Sequence, residues 1–155
     1  MDFAQFLNAL GASARLDVGA AAESGGCTLR FDQHLEVTLE HSPDDACVQV
    51  FAPVLSLTGI QGPAREKLLS ALLQLHLFGM ATGGAYFGLD PALDRVIFFM
   101  TVPLEGQTPE QAVATFERFV NQLDRWQGNL LNVVQRGTAT APTAGAPGPD
   151  AMQRV

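Results

Sequence analysis

Basic residues are scarce in this chain. Nine lysines and arginines stand against sixteen aspartates and glutamates, a formal net charge of −7 with a pI near 4.7. A nucleic-acid reader needs a basic stripe that releases phosphate counterions, and none is present. Attachment to an anionic membrane surface is disfavoured for the same reason. Cysteine is almost missing: Cys27 and Cys47 are the only two, and neither sits in a CxxC pair, so there is no disulfide framework. Long apolar runs are missing too. The longest, Leu68 to Ala81, is interrupted by Ser70, Gln74 and His76 and is too short and too polar to cross a bilayer. The opening MDFAQF has neither the basic nor the apolar part of a cleavable leader. These absences lead to the expectation of a soluble cytosolic protein without membrane insertion.

Residues that carry chemistry are equally sparse. His34, His41 and His76 are the only histidines, and they are spread over a strand, its end and a helix. His34 and Glu36 share a strand face, but two ligands do not close a metal site. Cys27 and Cys47 fall at inward strand positions, where a free thiol behaves as a small hydrophobe. GIQGPAREK lacks the spacer and the GK[ST] ending of a phosphate loop, and Pro63 removes an amide donor. Asp44-Asp45 and Asp90 with Asp94 are paired carboxylates in turns, which reads as solvated loop charge. The expectation is no enzyme, no metal and no cofactor. A site hidden from the sequence would declare itself as a deep polar pocket with perturbed titration.

What is present is a patterned globular chain. Its 155 residues are 47% apolar and suit one domain. Phe3, Phe6, Leu7 and Leu10 repeat at i, i+3, i+4 and i+7, with Asp2 as the cap, so a helix opens the chain. A low-hydrophobicity connector follows, with a short strand expected at Arg15 to Val18. CTLRF, HLEVTLE and CVQVFAPVLSL alternate apolar and polar residues as strands with one dry face. Asp32-Gln33 and SPDD, Ser42 to Asp45, supply the turns between them. Pro53 predicts a bulge or an edge in the third strand. A second helix begins near Pro63. Two more strands, Ala85 to Leu89 and Arg95 to Leu104, precede a long helix that opens on the capping box Thr108-Pro109-Glu110-Gln111 and runs to about Gln135.

The middle helix carries more apolar surface than one core needs. Leu68, Leu69, Ala71, Leu72, Leu73, Leu75 and Phe78 cover most of its circumference, and Leu77 intrudes on the polar arc. A helix on a one-sided core needs a stripe only somewhat over ~100° wide. The surplus predicts a protein partner, most simply a second copy of the chain. His76 lies on the apolar side and is expected to be a hydrogen-bonded interface histidine. The chain ends in GTATAPTAGAPGPDAMQRV, which is too poor in apolar anchors to repay ordering. The expected organisation is an α+β domain over 1–136 and a disordered Ala/Pro/Gly-rich tail over 137–155.

The order helix–three strands–helix–two strands–helix, with small size and low pI, resembles the class I type III secretion chaperones, the Tir chaperone family of Gram-negative bacteria. The likeness runs from Met1 to about Gln135. It rests on CTLRFDQHLEVTLE, on REKLLSALLQLHLFGMATGGAYFGLDPALDRVIFFMTVPLEG and on TPEQAVATFERFVNQLDRWQ, above all on Gly-Ala-Tyr-Phe-Gly-Leu-Asp before an apolar strand. The resemblance implies a twisted, mainly antiparallel sheet flanked by helices in a homodimer. It also implies a chaperone without ATPase activity that holds an extended N-terminal segment of a secreted effector ready for export, a role in protein transport and virulence. Carried onto this sequence, the dimer contact falls on Leu69, Leu72, Leu73, His76 and Leu77. The effector contact falls on Phe3, Phe6 and Leu10, with Phe31 and Phe98 nearby on the strands. The same fold used as an assembly module outside secretion is the alternative.

Overall fold

The computed structural model describes residues 1–15, 18–31, 34–42 and 46–139. Helix α1 spans Phe3–Ala14. Asp2 accepts from the Gln5 amide (2.8 Å) and Gln5 reciprocates onto the Asp2 amide (3.0 Å), a closed capping box. The strands are β1 (Gly26–Phe31), β2 (Leu35–Ser42), β3 (Cys47–Ser56), β4 (Tyr86–Asp90) and β5 (Arg95–Pro103). They form one antiparallel sheet in the order β1-β2-β3-β5-β4, so β1 and β4 are its edges.

The period-two pattern sorts the sheet into two faces. Leu35, Val37 and Leu39 of β2, Val48, Val50 and Ala52 of β3 and Phe98 and Val102 of β5 are buried. They share one core with Phe3, Phe6, Leu7 and Leu10 of α1. The long helix α4 (Pro109–Ala139) closes that core with Ala112, Val113, Phe116, Phe119 and Leu123, its Phe119 stacked on Phe98 at 5.2 Å. The other face is polar across β1 and β2, where Thr28 meets Thr38 and Arg30 pairs with Glu36. It turns apolar toward β3, β5 and β4, with Phe51, Ile97 and Phe99 half-buried. Pro53 behaves as its missing N–H requires: the β3–β5 register slips between Pro53 and Leu55.

Several expected boundaries move. Arg15 is the left-handed cap of α1, and Ala-rich helix α2 (Gly19–Ser24) replaces much of the expected connector. Of the strand expected at Arg15 to Val18, Arg15 and Val18 are not in a strand; Leu16 and Asp17 lie outside the described residues. The middle helix α3 (Gly62–Leu75) stops short of Leu77 and Phe78, which enter a 3-10 turn, Leu77–Gly79. Helix α4 continues through Gly137–Ala139, so the expected domain limit at 136 falls inside a helix. The disorder expected of the tail concerns residues 140–155, outside the described residues, as are Asp32-Gln33 and Pro43–Asp45 of the two expected turns.

Candidate partner-binding surfaces

Helix α3 is tied to the β4–β5 hairpin at both of its ends. Near its start, Arg65 pairs with Asp94 at 2.7 Å, just beyond β4. At its end, His76 Nδ1 accepts the backbone N–H of Phe87 at 2.8 Å. That bond satisfies an outward N–H of an edge strand and requires a neutral imidazole with its proton on the other nitrogen. The ring also stacks on Phe87 and meets Tyr86 edge-on. Only Leu68 and Leu72 of α3 are buried.

Glu66, Lys67, Ser70 and Gln74 make one side of α3 polar, but its C-terminal end and the turns around β4 are apolar and open. Phe78 and Met80 are each 82% exposed, Leu73 is 62% and Leu77 58% exposed, and Tyr86, Leu89 and Leu93 are also exposed. Phe78 holds a left-handed backbone (φ 58°), unusual for a bulky residue. Gly79 and Gly84 make the loop possible: the Gly84 N–H donates to the Gly79 carbonyl at 2.9 Å, and a Cβ on Gly79 would lie 3.0 Å from Gly84 Cα. Exposed apolar surface of this kind marks a protein contact.

A second surface lies at the opposite edge. Leu10, Ser13 and Ala14 of α1, Phe31 of β1 and Phe116, Glu117, Val120 and Asn121 of α4 line an open groove of about 320 Å³. Phe31 and Phe116 form its floor, their rings 5.9 Å apart. Ser13 donates to Glu117 at 3.0 Å across the mouth. Strand β1 runs beside it with half of its backbone groups facing away from β2.

The structure distributes the residues expected at the sites over both the surface and the interior. Of the effector-contact set, Phe3, Phe6, Leu10 and Phe98 are buried in the protomer, while Phe31 is half-buried at the groove. The α1 stripe is therefore mainly core, because packing on the sheet and α4 uses the whole apolar face. Of the dimer set, Leu72 is 2% exposed and interior, Leu69 and His76 are half-buried, and Leu73 and Leu77 are open. Helical periodicity marked Phe78 as part of the surplus apolar surface but missed Met80, Tyr86, Leu89 and Leu93. Large apolar side chains inside Gly-rich or turn segments, GMATGG and PALD, were the available signal.

The polar chemistry is modest. Burial pushes the Cys27 thiol above its ordinary pKa, away from the reactive thiolate. Asp90 is held below the usual carboxylate range chiefly by the Arg95 side chain, with help from the Leu93 amide. Among the described residues no cluster of three or more His, Cys, Asp or Glu is placed to hold a metal, and no helix is long and apolar enough to cross a membrane.

Solved structures of similar shape include complexes from type III secretion. The ExsC-ExsE complex matches with a TM-score of 0.61 at 21% identity, over 82% of this chain and 95% of that one. The ExoU-SpcU complex from the type III secretion system of Pseudomonas aeruginosa matches at 0.60 and 13%, over 81% and 93%. The Yersinia pestis type III secretion chaperone SycH, with a fragment of YscM2, matches at 0.58 and 18%, over 78% and 96%. At such identities these likenesses establish the fold. No curated protein sequence matches the chain. The family model for the Tir chaperone protein (CesT) family, however, matches residues 5–127, from α1 through most of α4, and the chain belongs to that family.

Proposed function

We propose that the protein is a type III secretion chaperone that binds an extended N-terminal segment of a secreted effector and keeps it export-competent in the bacterial cytoplasm, without ATP. The observation that carries this reading is the family match across residues 5–127. The fold offers two means of holding such a segment. A free β1 edge can receive a guest strand, and the adjoining groove can receive its side chains. The work is binding and release, not catalytic turnover.

The chaperone acts as a homodimer. The open belt of Leu73, Leu77, Phe78 and Met80 supports a two-fold contact, which covers one apolar patch with its own copy. Leu72 supports that contact from below. Light scattering at micromolar concentration is expected to give twice the chain mass, and Leu77→Asp to return the monomer. A monomeric mass for the unaltered protein overturns the dimer.

Calorimetry against the N-terminal regions of secreted proteins encoded beside this gene tests the function. Nucleotide-free binding by one of them is expected. Failure of all of them, or a requirement for ATP hydrolysis, refutes the reading.

A further inference from the structure

Helix α4 separates its charges by face. Glu110, Glu117 and Asp124 are spaced seven residues apart, close to two full turns, and so lie nearly in line. Glu117 is on the rim of the groove. Asp124 reaches His34, at the start of β2, at 3.3 Å. Arg118 and Arg125, equally seven apart, lie round the helix from this row, and Arg118 lines a separate cleft with Thr82, Gly83 and Gln122. Among the described residues Glu117 receives only the neutral Ser13 hydroxyl as a direct bond, and neither Glu117 nor Asp124 is paired with an arginine or lysine. An apolar slot beside a free strand edge is thus flanked by carboxylates that, among the described residues, no arginine or lysine pairs with, and of the two only Asp124 has an imidazole beside it.

We propose that this groove selects its guest by charge. The favoured occupant is an extended segment that inserts apolar side chains between Phe31 and Val120 and carries lysine or arginine toward Glu117 and Asp124. The proposal rests on the chaperone reading and adds to it the chemistry of the guest. An acidic segment with the same apolar residues meets like charge at the rim and is rejected, which gives selectivity with little added affinity. Nearby charges on the outer sheet face do not alter this, since Arg30 and Glu36 neutralise each other.

The test uses the full chain and short capped, dye-labelled peptides of equal length in which valine alternates with lysine, glutamine or glutamate. Fluorescence anisotropy should give an affinity order of lysine over glutamine over glutamate, each step about 3- to 10-fold, compressed by added salt. The double variant Glu117→Lys, Asp124→Lys alters two exposed positions and should invert the order with the fold unchanged by circular dichroism. Equal affinities, no binding of the lysine peptide, or an order indifferent to the charge swap each overturn the proposal. The chaperone reading fails separately, if no neighbouring secreted protein binds. It survives if such a protein binds equally well to the charge-swapped variant.

Discussion

Phe78→Gly should push the protomer and the dimer in opposite directions. Phe78 is 82% exposed and sits at φ 58°, where a side chain costs roughly 1–2 kcal/mol that glycine avoids. Glycine gives back about 0.5–1 kcal/mol through the freedom of its unfolded chain. The isolated protomer should therefore be unchanged or more stable by up to about 1.5 kcal/mol. The dimer loses more. Burying one Phe side chain contributes about 1.5–3 kcal/mol. A two-fold axis repeats the loss, for about 3–6 kcal/mol or roughly a 10²- to 10⁴-fold weaker association. Sedimentation velocity over a dilution series reads the association, and melting below the dissociation range reads the protomer. An unaltered dissociation constant would show that Phe78 lies outside the contact. A lower protomer melting temperature would show that its left-handed backbone is not strained.

Other perturbations separate core, loop and edge. Phe6 is wholly buried, so Phe6→Ala should cost about 3–5 kcal/mol in urea unfolding, and Phe6→Glu should fail to fold; a folded Phe6→Glu that merely loses effector binding would restore α1 as a contact surface. Gly79→Ala combines a left-handed φ with a Cβ 3.0 Å from Gly84 backbone and should destabilise by roughly 1–3 kcal/mol in thermal melts. His76→Leu leaves the Phe87 N–H without its acceptor and should cost about 1–3 kcal/mol, with faster amide exchange at Phe87; His76→Asn, which offers an oxygen instead, should recover part of both. The lowered Asp90 pKa gives the folded state stability that is complete above the ordinary carboxylate range and lost as pH falls through the lowered value. Asp90→Asn should therefore flatten the acid limb of a stability–pH profile below about pH 4 and leave its neutral shape alone.

Much of this molecule is legible in its residue pattern because its elements obey simple periods. The α1 stripe, the alternation of β2, the Thr108 capping box and the break at Pro53 all occur as the pattern dictates. Four features are not legible, each for a physical reason. Helix α2 is short and Ala-rich, with no amphipathic signal. The end of α3 is decided by His76 capturing a backbone amide eleven residues onward and by the Gly79–Gly84 loop, both tertiary events. Burial of the α1 face is decided by what packs on it. A stripe of Phe3, Phe6 and Leu10 looks the same from sequence whether it meets a core or a guest, and α4 supplies the cover. The groove joins residues from α1, β1 and α4 far apart in the chain, so no local motif announces it.

The free β1 edge has a further cost, because a strand that welcomes a guest will equally welcome its own twin. The far edge is already blunted by α3 and by the imidazole that occupies the Phe87 amide. At β1 only helix α2 and the Ser24 hydroxyl, which bonds the Gly26 carbonyl, touch the start of the strand among the described residues; the remaining protection is electrostatic. Glu117 stands on the rim of the groove beside β1, so each of two copies approaching through that edge carries the same charge there, and like charges resist pairing. The acidic rim thus acts as a gatekeeper against open-ended polymerisation while the chaperone stands empty. Salt weakens such a gatekeeper, so unladen protein should keep better in dilute buffer than in concentrated salt, and a bound guest, by filling the edge, should remove the difference.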